Sequence, residues 1–106
     1  MQARQGDIFF QVIKNVPKNL KKHNSNILAY GEVTGHSHKI ITPSISEMDS
    51  FVNEKGDIYV RSMTTDIVVG HDEHNSITLP KGEWICVTRQ REYDPLAADK
   101  QRKVAD

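Results

Sequence analysis

Asp7 to Val16 reads DIFFQVIKNV, a β-branched and aromatic run that stops at Pro17, a residue with no amide to give to a sheet. It predicts a first strand after the polar lead Met1 to Gly6. Lys18 to Asn26, KNLKKHNSN, has no apolar period and predicts a solvated loop with His23 exposed in it. Ile27 to Ile41, ILAYGEVTGHSHKII, sets β-forming residues around Gly31 and Gly35. Glycine there admits a bulge or bend that a helix resists, so the segment predicts two short strands or one bent strand. Met48 to Val52 and Asp57 to Ser62 flank Asn53-Glu54-Lys55-Gly56 and predict a hairpin, with Gly56 at positive φ. Thr64 to Gly70 predicts a further strand, and Ser76 to Leu79 with Glu83 to Arg89 predicts a pair around Leu79-Pro80-Lys81-Gly82. From Asp94 the chain reads DPLAADKQRKVAD and predicts a short helix or loose tail. The pattern is that of an all-β, single-domain jelly-roll or barrel-like sandwich of antiparallel strands over residues 1–93, with residues 94–106 a C-terminal tail.

Composition narrows the reading. A chain of 106 residues with 37% hydrophobic residues encloses one thin core. Fourteen Lys plus Arg balance 14 Asp plus Glu, so no overall field draws the chain to nucleic acid or an anionic membrane; a local patch would be needed. Lys14, Lys18, Lys21 and Lys22, with Phe9 and Phe10 nearby, offer such a patch but read first as a solvated face. The one cysteine, Cys86, excludes an intrachain disulfide and fits a reducing compartment. Met1 to Gly6 lacks the apolar stretch of a signal peptide, and no apolar run reaches the length of a membrane span. The expectation is a cytoplasmic protein.

Four of the five histidines fall into two compact pairs. Alternate residues of a strand point the same way, so His36 and His38 of Gly35-His36-Ser37-His38 would share a face, as a two-point grip on a metal requires. His71 and His74 come together if His71-Asp72-Glu73-His74 wraps in one turn. All four are candidate ligands of one divalent ion, and imidazoles with a carboxylate suit Zn, Fe, Ni, Mn or Cu. Three ligands and an open position would permit catalysis, whereas four closed ligands would make a structural ion. Glu73 and Glu32 are the candidate general bases for a metal-bound water. The competing reading is a pH-sensitive histidine patch, or solvated loop histidines, with no ion.

Arg91 and Tyr93 put a guanidinium and a phenol near one another after the last strand and are candidates to bind a phosphate or carboxylate of a small-molecule substrate. Their plainer role is rim packing and a surface ion pair. Trp84 reads as a core or rim anchor, and Cys86, two residues on, as a small apolar residue on the same face.

The order strand, GHSH, hairpin, strand, histidine loop and ITLPKGEW, spanning Gly31 to Val87, resembles the cupin superfamily of small jelly-roll barrels. In cupins an early HxH and a later proline-glycine turn bring metal ligands into the barrel. No glutamate occurs from Lys39 to Ile45 to match the one that usually follows the cupin HxH, and Glu83, Trp84 and Ile85 stand where cupins place their last histidine. The resemblance therefore implies His71 or His74 as the late ligands. The strings GEVTGHSH, HDEH and QREY are also similar to those of small uncharacterised proteins of bacteria and their phages, which implies no activity. The leading expectation is a metal-binding, cupin-like protein, as an enzyme of hydrolase or oxygenase type. The alternative is a non-enzymatic β-domain with a structural zinc or no metal, binding a protein or nucleic acid. Exposed sheet edges would favour a homodimer.

Overall fold

Successive side chains of Ile8 to Ile13 alternate between two environments, with Ile8 and Phe10 buried while Phe9 and Gln11 face outward. The same alternation runs from Ser37 to Ile40 and along Trp84 to Thr88 in the computed structural model, which describes residues 1–30 and 35–89, whereas Ile58, Tyr59 and Val60 are all buried. In chain order the strands are β1 (Gln2–Gln5), β2 (Ile8–Ile13), β3 (Lys21–Lys22), β4 (Ile27–Tyr30), β5 (Ser37–Thr42), β6 (Met48–Val52), β7 (Ile58–Ser62), β8 (Ile67–Gly70), β9 (Ile77–Leu79) and β10 (Trp84–Arg89). A single 3₁₀ turn, Ile45–Glu47, precedes β6.

Two antiparallel sheets result, one in the order β1-β2-β10-β7-β6-β3 and one in the order β4-β5-β8-β9. Ile8, Phe10, Val60 and Ile85 from the larger sheet pack with Ile40, Ile67, Val69 and Leu79 from the smaller in one hydrophobic cluster. The molecule is thus an all-β sandwich whose core is the layer between the sheets. Among the described residues no helix is long and apolar enough to cross a membrane.

The hairpin over Met48–Ser62 forms as its pattern predicts, with Met48 opposite Ser62 and Val52 opposite Ile58, and Gly56 takes φ +92°. Three expectations are corrected. Gln2–Gln5, which carries no β-forming signal, is a strand because it pairs along β2 from Gln2 opposite Gln11 to Gln5 opposite Ile8. Within the lysine-rich loop, Lys21 and Lys22 pair with Val52 and Phe51, and His23 is half-buried, its ring Nδ1 3.2 Å from Ser50 Oγ. β9 and β10 do not pair with each other, since β9 joins β8 while β10 lies between β2 and β7. Leu79 and Ile85 are both fully buried on opposite sides of the core, so the Pro80–Glu83 link has to cross from one sheet to the other. Glu32, Arg91, Tyr93 and the segment from Asp94 lie outside the described residues.

Candidate functional site

Three stretches of chain meet at one end of the sandwich: the Gly6-Asp7 turn of the β1–β2 hairpin, the start of β5, and the loop between β8 and β9. Strand pairing brings them together. β5 lies beside β8, with Lys39 opposite Gly70, so His38 faces the start of the loop that begins at His71. His36 and His38, two residues apart, both place their rings against His71, at centroid separations of 5.7 and 4.3 Å. The bend at Asp72–His74 then sets the His74 ring 4.6 Å from His71 and 6.1 Å from His38, nearly parallel to the latter.

His38 is the fixed member. Its residue is 1% exposed, and its Nδ1 lies 2.8 Å from Gln5 Oε1. Gln5 is itself buried, and its Nε2 donates to the carbonyls of Val69, at 3.1 Å, and Asn75, at 2.8 Å. Two carbonyl partners require the amide NH₂ on that side, so Oε1 faces the imidazole and His38 Nδ1 carries the proton. Nε2 is left with its lone pair, the tautomer that a metal ligand needs. Burial of the ring, reinforced by the neighbouring His71, pushes the His38 pKa down to about 4, so the ring is neutral at physiological pH.

The bare Nε2 faces Asp7 Oδ1 at 3.7 Å, while Asp7 Oδ2 pairs with Arg89 Nε at 3.2 Å. A lone pair beside a carboxylate oxygen is a place where a cation is favoured. His36 adds a second such feature, because its Nδ1 is buried and has no hydrogen-bond partner among the described residues. Among the described residues, Glu73 Oε2 stands 3.7 Å from this Nδ1 and Asp72 Oδ2 3.8 Å from the His36 Nε2, both beyond hydrogen-bond reach. His71 Nδ1 accepts the Glu73 amide at 3.0 Å, which fixes the bend and leaves its Nε2 unclaimed by that contact. Gly6, at φ +62°, makes room for His74: a β-carbon there would lie 2.7 Å from His74 Nε2 and 3.4 Å from His38 Cε1.

The donor set and the two unpartnered nitrogens fit a borderline-soft divalent ion. The rings gather without their nitrogens converging: among the described residues, no three His, Cys, Asp or Glu side chains are placed to hold a metal ion as they stand. His71 is half-exposed and His74 exposed, so these are the rings with room to turn. Glu73 lies at the rim, its side chain 61% exposed, in the position of a solvent-facing base. Cys86 sits on the outer face of the larger sheet, where burial pushes its thiol pKa up, and takes no part in the site.

Sequence spacing pointed to the four histidines but missed Gln5 and Gly6, which read as part of a polar lead, and Asp7, which read as the first residue of a strand. Only their Gly-Asp turn signal between Gln5 and a β-branched run hinted at a hairpin. Beside the site, a cleft of about 340 Å³ runs along Ile8, Leu28, Tyr30, Lys55, Val87 and Arg89, and Arg89 links it to Asp7. A family described as a domain of unknown function (DUF8820) matches residues 4–90. No curated protein and no solved structure matches the chain.

Proposed function

We propose, for a chain that belongs to the DUF8820 family of domains of unknown function, that the histidine end of the sandwich binds one divalent transition-metal ion. His38, His71 and His74 are its ligands, with His36 alongside. The observation that carries this function is the His38 ring, buried, neutral and held by Gln5 with its Nε2 bare, with the His71 ring packed 4.3 Å away. Binding would require the half-exposed His71 and exposed His74 rings to turn about their side-chain bonds until their nitrogens converge with His38 Nε2. This is the arrangement that the cupin-like resemblance implies, an HxH strand joined by imidazoles from a later loop.

With His38 buried and His71 and His74 toward solvent, three imidazoles would leave a position for water or substrate on the outer side, which suits a reactive centre more than a closed structural one. A bound ion there would supply Lewis acidity for hydrolytic or oxygen chemistry. Glu73 would be the residue to take a proton from a water held there, Asp7 and Arg89 balance charge at the inner wall, and the adjoining cleft has space for a small substrate, with Arg89 and Lys55 favouring an anionic one. The reducing cytoplasm is the compartment that the lone cysteine fits.

The test is elemental analysis of protein purified without a histidine tag, followed by titration of metal-free protein with Zn²⁺, Ni²⁺, Mn²⁺ and Fe²⁺. One tightly bound equivalent, lost in His38→Ala and weakened in His71→Ala and His74→Ala, is expected. Protein that holds no metal and whose melting temperature ignores all four ions overturns the proposal. Separating catalysis from scaffolding uses the same loop variants: a folded variant of unchanged melting temperature that loses turnover marks a reactive ion.

A further inference from the structure

The outward face of the six-stranded sheet carries a second pattern, independent of the histidines. Register fixes which side chains share it. Arg4 lies opposite Phe9 on β2, Trp84 opposite Ile13, and Lys22 opposite Phe51 on β6. Phe51 in turn lies opposite Tyr59, which lies opposite Cys86, and Asp49 lies opposite Arg61. None of these points into the core, whose residues from this sheet occupy the alternate positions.

On this face aromatics and cations are interleaved. The Arg4 guanidinium sits 5.4 Å from the Phe9 ring centroid, Lys22 Nζ 5.7 Å from Phe51, and Arg61 4.5 Å from Trp84. Phe51 and Trp84 adjoin, with centroids 6.2 Å apart. Two carboxylates of the described residues lie among them: Asp49 is engaged by Arg61 at 2.9 Å, and Asp57, just before β7, accepts from Asn53 and lies near Tyr59 and Cys86. Asp49 thus anchors Arg61 where its guanidinium lies over the Trp84 ring. Arg4 and Lys22 have no such anchor among the described residues, and both are exposed. The chain is neutral overall, yet on this face Arg4, Lys22 and Arg61 outnumber Asp49 and Asp57, which leaves an excess of positive charge.

We infer that this face binds single-stranded nucleic acid. Half-buried aromatic rings on an open sheet offer stacking surfaces to unpaired bases, and the fixed Arg61 plane offers another. Arg4 and Lys22 are long enough to swing from their rings to backbone phosphates, which uncovers Phe9 and Phe51 for the bases they bring in. Six strands at about 4.8 Å spacing give a platform roughly 24 Å across, enough for the lower end of the range of about 4–16 nucleotides seen in single-strand sites. A duplex has its bases stacked away inside and gains only the phosphate contacts.

Trp84 is the one tryptophan of the chain and stands within this face, so its fluorescence reports binding directly. Titration with a 12-nucleotide oligo(dT) and an oligo(rU) should give saturable quenching. Two phosphate contacts predict affinity about sevenfold weaker at 200 mM than at 50 mM salt. The Arg4→Ala/Lys22→Ala pair should remove most of that salt dependence, and Phe51→Ala should cost about tenfold in affinity through lost stacking. Circular dichroism of these surface variants controls for folding. Absence of quenching by either oligonucleotide overturns the inference. So does an equal response to polyphosphate, which would mark a polyanion patch that reads no bases. Concentration-dependent Trp84 emission without nucleic acid, with dimers in sedimentation, would assign the face to a second copy of this chain and overturn it as well.

Discussion

Gln5 does its work through an amide whose two ends cannot be exchanged. Its NH₂ ties β1 to the Val69 and Asn75 carbonyls while its oxygen sets the His38 tautomer. Gln5→Met keeps the bulk and removes both, and it should weaken metal binding about 10- to 100-fold, measured by competition with a chromophoric chelator. Nitrogen-15 NMR should at the same time show His38 losing its fixed Nδ1–H form. Gly6→Ala forces a side chain into left-handed backbone and against His74 Nε2; a loss of about 1–3 kcal/mol in urea unfolding is expected. His23 carries a pH response outside the site. Burial lowers its pKa, so the unfolded chain, with a histidine pKa of about 6.5, takes up the proton first. Its contribution to stability is complete above that pH and declines as acid is added. Melting temperature should fall from pH 7 to pH 5, and less steeply in His23→Gln; an identical slope in the variant would refute the assignment. At this scale the spacing of GHSH and HDEH made the imidazoles legible. Gln5 and Asp7 were not, because their roles arise from contacts to residues more than 30 positions away.

Among elements, legibility followed how local the determinants are. The β6–β7 hairpin is written in its own sequence, since Gly56 closes the turn and the flanking apolar positions set the register. β1 is not, for Gln-Ala-Arg-Gln becomes a strand only by pairing with β2. Leu79-Pro80-Lys81-Gly82 has the composition of a hairpin turn, and choosing between turning back and crossing over depends on which sheet still needs a strand. β10 fills the gap between β2 and β7, and that need is invisible locally. β2 shows what such a central strand supports. Phe10 is fully buried in the shared cluster, so Phe10→Ala should cost about 3–5 kcal/mol, read as a lowered urea midpoint with little change in its m-value.

Taken whole, the molecule divides its labour between surfaces that one thin core holds in register. The smaller sheet supplies His38 and leads into the histidine loop, and the larger sheet supplies Gln5 and Asp7, so the site spans both layers. A ligand that binds only when the layers are docked stabilises the docked state. A metal at 100 times its dissociation constant adds about 2.7 kcal/mol, which for a domain of this size raises the melting temperature by roughly 10 °C; scanning calorimetry with and without chelator measures it. Zero net charge conceals the cationic sheet face, which emerges only once register sorts Arg4, Lys22 and Arg61 to one side.

Among the described residues β1 is an edge strand, bonded within its sheet on one side only, yet it holds the glutamine that orients His38. Edge strands open readily, and each opening of β1 withdraws Gln5 from the imidazole. Occupancy of the metal site and fraying of this border are therefore two readings of one equilibrium. Deuterium uptake at the amides of Ala3 to Gln5 should slow when metal is added and quicken in His38→Ala, making the margin of the larger sheet a reporter of what the histidines hold.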